Sequence, residues 1–282
     1  MSKLPRVVRD QRQKELLRIF DEICGRHNRW TVWSDAVVMY AISISNAVDK
    51  THADRREEMY LSLAKKYNQR EMNSIAKMFA LIVEAMEENP DQDFLGDLYM
   101  SLGLGNEKNG QFFTPYSVCT MMAKMQPDLN DRVDRQGWIS VNDPACGAGA
   151  LLVAFANECK LRGINYQTSV LFVAQDIDFV TGCMCYIQLS LLGCPGYVVV
   201  ADSLCHPSTS IDDRGLIPTP GENVWYTPFY FRTEWQLRII AYHMGALSKK
   251  AAPVEIEDPA PVSQPVQHME WNETQTGQLT LF

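Results

Sequence analysis

Residues 143–149 form the stretch Asp143-Pro144-Ala145-Cys146-Gly147-Ala148-Gly149, which follows the short apolar run 138–142 and precedes the apolar run 151–159. A strand that ends in an acidic residue, then a glycine-rich turn, then a helix is typical of an open α/β sheet that binds an adenosine-bearing cofactor. The glycines let the backbone approach a ligand closely, because they tolerate torsion angles that a Cβ would forbid. The stretch therefore predicts a cofactor-binding turn, with Asp143 facing polar groups of the ligand.

The same alternation continues after this turn. Apolar residues at 170–174 and 197–201 predict two further strands, and the run 179–192 between them predicts a helix. The order strand, helix, strand, helix, strand predicts a parallel, doubly wound sheet. A short fourth strand at 223–226 and a last helix at 233–247 are expected to follow.

An aspartate follows each of the three predicted parallel strands, namely Asp143, Asp176 and Asp202. The carboxyl ends of parallel strands meet at one rim of the sheet, where ligands bind. An acid after the second strand is well placed to accept both ribose hydroxyls, and an acid after the third to accept an adenine amino group. Aspartate also favours turns, so a turn role is the alternative for any one of them. Three in register around a glycine-rich turn favour a ligand site.

The residues before the sheet predict helices. Apolar residues recur at spacings of three and four between Leu16 and Ile23, and Ser34-Asp35 is placed to cap a helix over 36–48. Further helices are predicted over 54–67, 71–86 and 94–101, with another that opens near Pro115 or Ser117. We therefore divide the chain into a helical domain at 1–105, an α/β domain at 106–248 and an acidic, disordered tail at 249–282.

Composition favours a globular cytoplasmic protein. The 282 residues, of which 46% are hydrophobic, suffice for one α/β domain and a smaller one. No apolar run approaches the roughly 20 residues of a membrane span, and no signal peptide is apparent. The eight cysteines form no paired framework and match no zinc spacing, so we expect reduced thiols and no metal site. The net charge of −8 argues against a protein that coats nucleic acid.

Four segments together resemble a known family: residues 110–115 (Gly-Gln-Phe-Phe-Thr-Pro), 143–149, 175–178 (Gln-Asp-Ile-Asp) and 201–204 (Ala-Asp-Ser-Leu). They are similar to the modification subunit of type I restriction systems and, more broadly, to S-adenosylmethionine (SAM)-dependent DNA adenine-N6 methyltransferases. The resemblance covers residues 70–205 well and the first 70 loosely. It implies the Rossmann-like sheet of class I SAM methyltransferases, preceded by an all-helical domain. The predicted strands account for only part of that sheet.

The resemblance also implies which residues bind SAM. Phe113, Thr114 and Pro115 would contact its methionine end. Asp176 would hold the ribose and Asp202 the adenine. The turn would cradle the cofactor through Asp143, Ala145, Cys146, Gly147 and Gly149.

One feature of that family is missing from the sequence. Its members carry an Asn/Asp-Pro-Pro-Phe/Tyr tetrad, which accepts hydrogen bonds from the target amino group and stacks on the flipped base. The nearest candidate is Thr227-Pro228-Phe229-Tyr230, beside Tyr226. A threonine hydroxyl is a poorer acceptor than an amide or carboxylate oxygen. We therefore predict Thr227, Pro228 and Tyr230 as catalytic candidates, with an ordinary aromatic turn as the alternative.

The last five residues form a separate motif. Gln278-Leu279-Thr280-Leu281-Phe282 resembles the short peptide with which bacterial replication and repair proteins bind the sliding clamp. An extended segment with a glutamine and apolar anchors suits such docking, and predicts that Gln278, Leu279, Leu281 and Phe282 bind the clamp. The alternative is a tail that folds back onto its own core.

Two classes of function follow from these observations. The retained cofactor motifs favour a SAM-dependent DNA adenine-N6 methyltransferase, either an orphan enzyme or one of a restriction-modification system. The absent tetrad favours a degenerate methyltransferase that binds SAM or DNA and docks on the clamp. No recognition domain is apparent, so a separate specificity or complementing subunit is a further expected partner.

Overall fold

The structure, a computed structural model, describes residues 11–104, 113–221, 223–251, 272–273 and 279–280. The described residues form a mixed α/β fold that is mostly helical. The helices are α1 Gln11–Cys24, α2 Arg29–Val48, α3 Ala53–Ala64, α4 Gln69–Glu88, α5 Phe94–Ser101, α6 Tyr116–Lys124, α7 Leu129–Gln136, α8 Ala150–Leu161, α9 Tyr166–Ser169, α10 Phe179–Leu191 and α11 Thr233–Ala251.

Four strands form the main sheet, in the order β1-β2-β3-β4. They are β1 Ile139–Asp143, β2 Val170–Asp176, β3 Gly196–Val200 and β4 Val224–Tyr226, after which Pro228–Phe231 forms a 3₁₀ turn. Two short strands, β5 Asn272–Glu273 and β6 Leu279–Thr280, pair with each other. The architecture is consistent with a methyltransferase-like fold.

The register of the sheet confirms that the three aspartates share a rim. Strands β1, β2 and β3 are parallel, with Asp143 beside Ala174 and Asp176 beside Val200. Asp202 lies two residues beyond Val200, the last residue of β3. Each acid therefore emerges at the carboxyl end of its own strand, and all three emerge at the same edge of the sheet.

The fourth strand runs in the opposite direction. It is antiparallel to β3, with Tyr226 beside Tyr197 and Val224 beside Val199. Because of this direction, β4 ends beside the amino end of β3, at the edge of the sheet opposite the aspartate rim.

Strand β1 is more exposed than its neighbours. Among the described residues it pairs with β2 alone, and of its residues only Ile139 is buried. Every residue of β3 is buried, as are the residues of β2 up to Gln175. Strand β1, which leads into the glycine-rich turn, thus lies at one edge of the sheet that the described residues form.

The second helix begins earlier than the sequence predicted. It starts at Arg29 because the Asn28 side chain accepts hydrogen bonds from the backbone N–H groups of Trp30, at 2.9 Å, and Thr31, at 3.3 Å. The predicted cap at Ser34-Asp35 is wrong. Asp35 lies inside α2, where its carboxylate accepts from the Tyr67 hydroxyl at 2.9 Å.

The N-terminal helices share one apolar core with the sheet. Helix α10 packs against both α2 and β3. Arg56 of α3 is buried, donates to the Val224 carbonyl oxygen of β4 at 2.7 Å and lies 4.0 Å from the ring centre of Trp225. The chain forms two compact units, Met1–Ala241 and Tyr242–Phe282, and these helices belong to the first unit with the sheet.

Membrane-spanning character is absent from the part of the chain that the structure describes, since none of its helices combines the required length and apolarity.

Candidate cofactor site

The glycine-rich turn is fastened to the second strand. The Cys146 N–H donates to the Gln175 carbonyl oxygen at 2.9 Å, and the Gly147 N–H donates to Oδ2 of Asp176 at 2.7 Å. Gly149 has a φ of +95°, and a Cβ there would lie 2.8 Å from Sγ of Cys185. The glycine at 149 is therefore required both by the backbone conformation and by close packing against α10.

The three rim aspartates differ in environment. Burial raises the pKa of Asp143, and the nearby Asp176 carboxylate adds to that effect. Hydrogen bonds from the backbone N–H groups of Leu204 and Cys205 lower the pKa of Asp202. Asp176 is the most engaged of the three, because its Oδ1 also accepts from the Asp178 N–H at 2.9 Å and from the Thr181 hydroxyl at 3.2 Å. Each carboxylate oxygen offers two lone pairs, so all three can still accept from a ligand.

A cavity of about 180 Å³ lies against the turn. Six of its lining residues were predicted to bind the cofactor: Phe113, Thr114, Asp143, Ala145, Cys146 and Gly147. Six further lining residues were not predicted: Asp93, Cys119, Met122, Ala148, Ala150 and Leu151. Pro115, Gly149, Asp176 and Asp202 do not line the cavity, although Gly149 and Asp176 shape the turn.

Asp93 is a buried carboxyl on the cavity wall. Only 3% of it is exposed, and it precedes α5, where its Oδ1 accepts from the Gly96 N–H at 3.0 Å. The same oxygen accepts from Nε2 of Gln188 at 2.8 Å, and that amide also donates to the Ala148 carbonyl oxygen at 2.8 Å. Burial raises the pKa of Asp93 to about 6. In the sequence it only precedes the helix predicted over 94–101, and nothing there indicated a place in the cavity.

The thiols beside the turn are held in the neutral form. The contact with Cys185, followed by burial, raises the pKa of Cys146 well above its ordinary value. Burial raises the pKa of Cys119 to about 11. Because a thiolate is the reactive form of cysteine, these residues pack against the cavity and are not poised as nucleophiles. All eight cysteines are unpaired.

Two exposed apolar side chains follow the rim aspartates. Ile177, directly after Asp176, is 73% exposed, and Leu204, two residues after Asp202, is 93% exposed. Large apolar side chains that flank polar acceptors are typical of sites for flat heterocyclic ligands. Both residues belong to the family segments 175–178 and 201–204, but neither was predicted to bind the cofactor.

The tetrad candidates Thr227, Pro228 and Tyr230 do not come to the rim. Thr227 is fully buried, and its Oγ1 donates to the Cys194 carbonyl oxygen at 2.7 Å and accepts from the Gly196 N–H at 3.0 Å. Gly196 is the first residue of β3, whereas Asp202 follows the last. The antiparallel direction of β4 places this segment at the amino end of the sheet.

The aromatic side chains of that segment also belong to the fold. The Tyr230 hydroxyl donates to the Leu216 carbonyl oxygen at 2.7 Å. Its ring stacks on that of Tyr226 with centroids 5.0 Å apart. A base could not stack on Tyr230 without displacing these contacts, so the alternative of a structural aromatic turn matches the observed geometry.

Some residues of the family segments and of the C-terminal motif lie outside the described residues. These are residues 110–112 of the first family segment, and Gln278, Leu281 and Phe282 of the C-terminal motif. Leu279 is described only as part of β6.

Comparison with known proteins identifies the family. A family model described as N-6 DNA methylase matches residues 90–235, which is more than half of the chain. No curated protein and no solved structure matches the chain. The chain therefore belongs to the N-6 DNA methylase family, whose members are in general SAM-dependent DNA methyltransferases. The matched range begins before Asp93 and so includes α5.

Proposed function

We propose that the protein is a SAM-dependent DNA adenine-N6 methyltransferase of the kind found in type I modification subunits, with or without a cognate nuclease. The observation that carries this proposal is the cavity in which Phe113 and Thr114 face the Asp143 turn. A cavity beside an acidic rim suits a ligand with a compact amino-acid end and a nucleoside end. We also propose that β1 to β3 belong to a Rossmann-like sheet, and that the chain is divided at about 105 and 248.

In this assignment SAM lies across the turn. Its methionine end enters the cavity beside Phe113, Thr114 and Pro115, and the turn supports it through Ala145 to Gly149. Asp176 accepts from the ribose and Asp202 from the adenine amino group. Ile177 and Leu204, both strongly exposed at the rim, would contact the adenine ring. When bound, SAM supplies an electrophilic methyl group on its sulfonium.

The group that receives the target adenine must come from elsewhere, since Thr227 lies at the amino end of the sheet. We propose a complementing protein chain that docks along β1. Its outer edge pairs with no other strand among the described residues and borders a groove of about 270 Å³ lined in part by Met122, Ile139 and Val141. A strand edge of this kind with adjacent apolar side chains suits the addition of a strand.

Calorimetric titration with SAM, together with transfer of labelled methyl groups to mixed DNA, tests the proposal. We expect the wild-type protein to bind SAM, and Asp143→Ala to lose binding and transfer. The matched control is Asp213→Ala, an exposed aspartate away from the cavity, which should behave as wild type. Absence of SAM binding by the wild-type protein would refute the assignment.

The position of Thr227 favours a second candidate function, a non-catalytic module. Such a protein would bind SAM or DNA without transferring the methyl group and would dock on the sliding clamp through Gln278 to Phe282. Deletion of residues 278–282 should then abolish binding to a purified bacterial clamp while leaving SAM affinity unchanged. Retention of clamp binding after the deletion would exclude the motif.

A further inference from the structure

The cavity beside the turn has an electrostatic character that the proposed roles do not explain. Of its described lining residues, two are aspartates, Asp93 and Asp143, and none is lysine, arginine or histidine. A buried carboxylate is costly unless a cation or hydrogen-bond donors compensate it. The cavity therefore favours a ligand that brings positive charge.

The two carboxyls reach this cavity from different elements. Asp143 ends β1, and the nearby Asp176 carboxylate raises its pKa. Asp93 directly precedes α5, and Asp93 and Asp143 both raise the pKa of Cys119 of α6. The ring of Phe113 packs at 5.4 Å from that of Tyr99 of α5.

The carboxyl of Asp93 is held rigidly by one oxygen. Its Oδ1 accepts from Gly96 N and from Nε2 of Gln188. Its Oδ2 has no hydrogen-bond donor among the residues that the structure describes. Asp93 is 97% buried. One oxygen of its carboxyl is anchored by two donors, and the other lacks a donor among the described residues. This is the arrangement of a preorganised ligand group.

We propose that Asp93 binds the α-ammonium group of the methionine end of SAM through Oδ2. This inference rests on the proposed function, and adds to it a ligand residue that none of the family segments contains. The bridge from Asp93 through Gln188 to Ala148 would then align the ammonium group with the turn. Asp93 would act as a binding residue and take no part in bond making.

Substitution of Asp93 by asparagine tests how much the negative charge of this side chain contributes to SAM binding. Asparagine has nearly the same shape, and its carbonyl oxygen can still accept from Gly96 and Gln188. We expect SAM affinity, measured by calorimetry, to fall by about 10- to 100-fold, as for loss of a charged hydrogen bond. The matched control is Asp91→Asn, which removes a nearby charge that does not line the cavity and should leave the affinity unchanged.

An analogue of SAM with hydrogen in place of the α-amino group separates a direct contact from a structural role. Wild-type protein and Asp93→Asn should bind this analogue with equal affinity. An equal loss of affinity for SAM and the analogue, or an unchanged affinity for SAM, would overturn the assignment of Asp93 alone. Failure of the wild-type protein to bind either compound would instead overturn the proposed function. Thermal unfolding of both proteins verifies that the variant is folded.

Discussion

The two ends of the three parallel strands are built in opposite ways. At the carboxyl rim, Asp176 and Asp202 accept from backbone N–H groups and keep further capacity, and Ile177 and Leu204 are exposed beside them. At the amino end, Thr227 is fully buried and its hydroxyl is engaged as both donor and acceptor. One end therefore has unused binding capacity for a ligand, while the other uses its polar groups to hold the fold. Variants at the rim should change ligand affinity, and variants at the amino end should change stability.

The largest effect is expected at the amino end, from Gly196→Ala. A Cβ at this position would lie 1.8 Å from the Phe172 carbonyl oxygen, and backbone atoms cannot yield cheaply. We expect a loss of about 4 kcal/mol or more in the free energy of unfolding, or failure to fold. Denaturant unfolding measures it, with Gly221→Ala as control, because nothing lies within 4 Å of a Cβ there. Equal stability of the two variants would contradict the packing of β3 on β2.

The second prediction concerns the pH dependence of the unfolding free energy that Asp93 causes on the wall of the cavity beside the rim. Burial raises the pKa of Asp93 from 3.8 to about 6, so the folded chain binds its proton more tightly than the unfolded chain does. The stability from this group is fully present below about pH 4 and is lost as the pH rises through about 6, which amounts to about 3 kcal/mol. We expect the difference in unfolding free energy between wild type and Asp93→Asn to change by this amount without ligand.

Other charged and titratable groups lie near Asp93 and could contribute to the pH dependence of the unfolding free energy. Asp97 and Asp143 add negative charge, whereas burial raises the pKa of Tyr116 and of Cys119, which stay neutral below pH 8. Asp143 remains in both proteins, so its own titration cancels in the difference. A difference that does not vary with pH would show that Asp93 is not desolvated.

The third prediction tests whether Thr227 acts only in the fold. Thr227→Val keeps the shape but leaves the Gly196 N–H without its side-chain acceptor, which should cost about 1–3 kcal/mol. SAM affinity should not change, and Thr227→Ser should restore most of the stability. A variant of normal stability that has lost methyl transfer would instead assign Thr227 to catalysis and would reverse the comparison of the two ends.

The smallest effect is expected from Asp202→Asn at the rim. The Asp202 side chain accepts from the backbone N–H groups of Leu204 and Cys205 and from the Cys205 thiol, all in its own turn, and asparagine can still do so. We expect an unchanged melting temperature and a roughly tenfold loss of SAM affinity, as for one weakened hydrogen bond to a ligand. A marked loss of stability would show that the rim also holds the fold.

Most secondary structure near the site was predictable because the signals are local. The strand, acid and glycine order around Asp143 and the apolar runs that precede Asp176 and Asp202 depend on neighbours in sequence, and the sheet confirms their common rim. A strand at 223–226 was also predicted and forms at Val224–Tyr226, but its antiparallel direction was not predicted. That direction depends on contacts far along the chain, and it places Thr227 away from the rim.

The position of Asp93 in the cavity could not be predicted from the sequence. This residue directly precedes the helix predicted over 94–101, and in the structure its side chain caps that helix. Its place on the cavity wall depends on Gln188, which lies 95 residues away in sequence. Helix α7 at Leu129–Gln136 was not predicted either, because only Leu129 of its residues is buried and an apolar stripe is therefore missing.

The buried amide of Gln188 has a consequence for dissection of the chain into fragments. It accepts from the Leu95 N–H at 3.2 Å while it donates to Asp93 and Ala148, and none of it is exposed. A fragment that starts after α5 would leave this amide and the face of α10 that packs on α2 open to water. We therefore expect such a fragment to aggregate. In the intact chain, the amides of the α5 start and of the glycine-rich turn should exchange with deuterium together, as one cooperative unit.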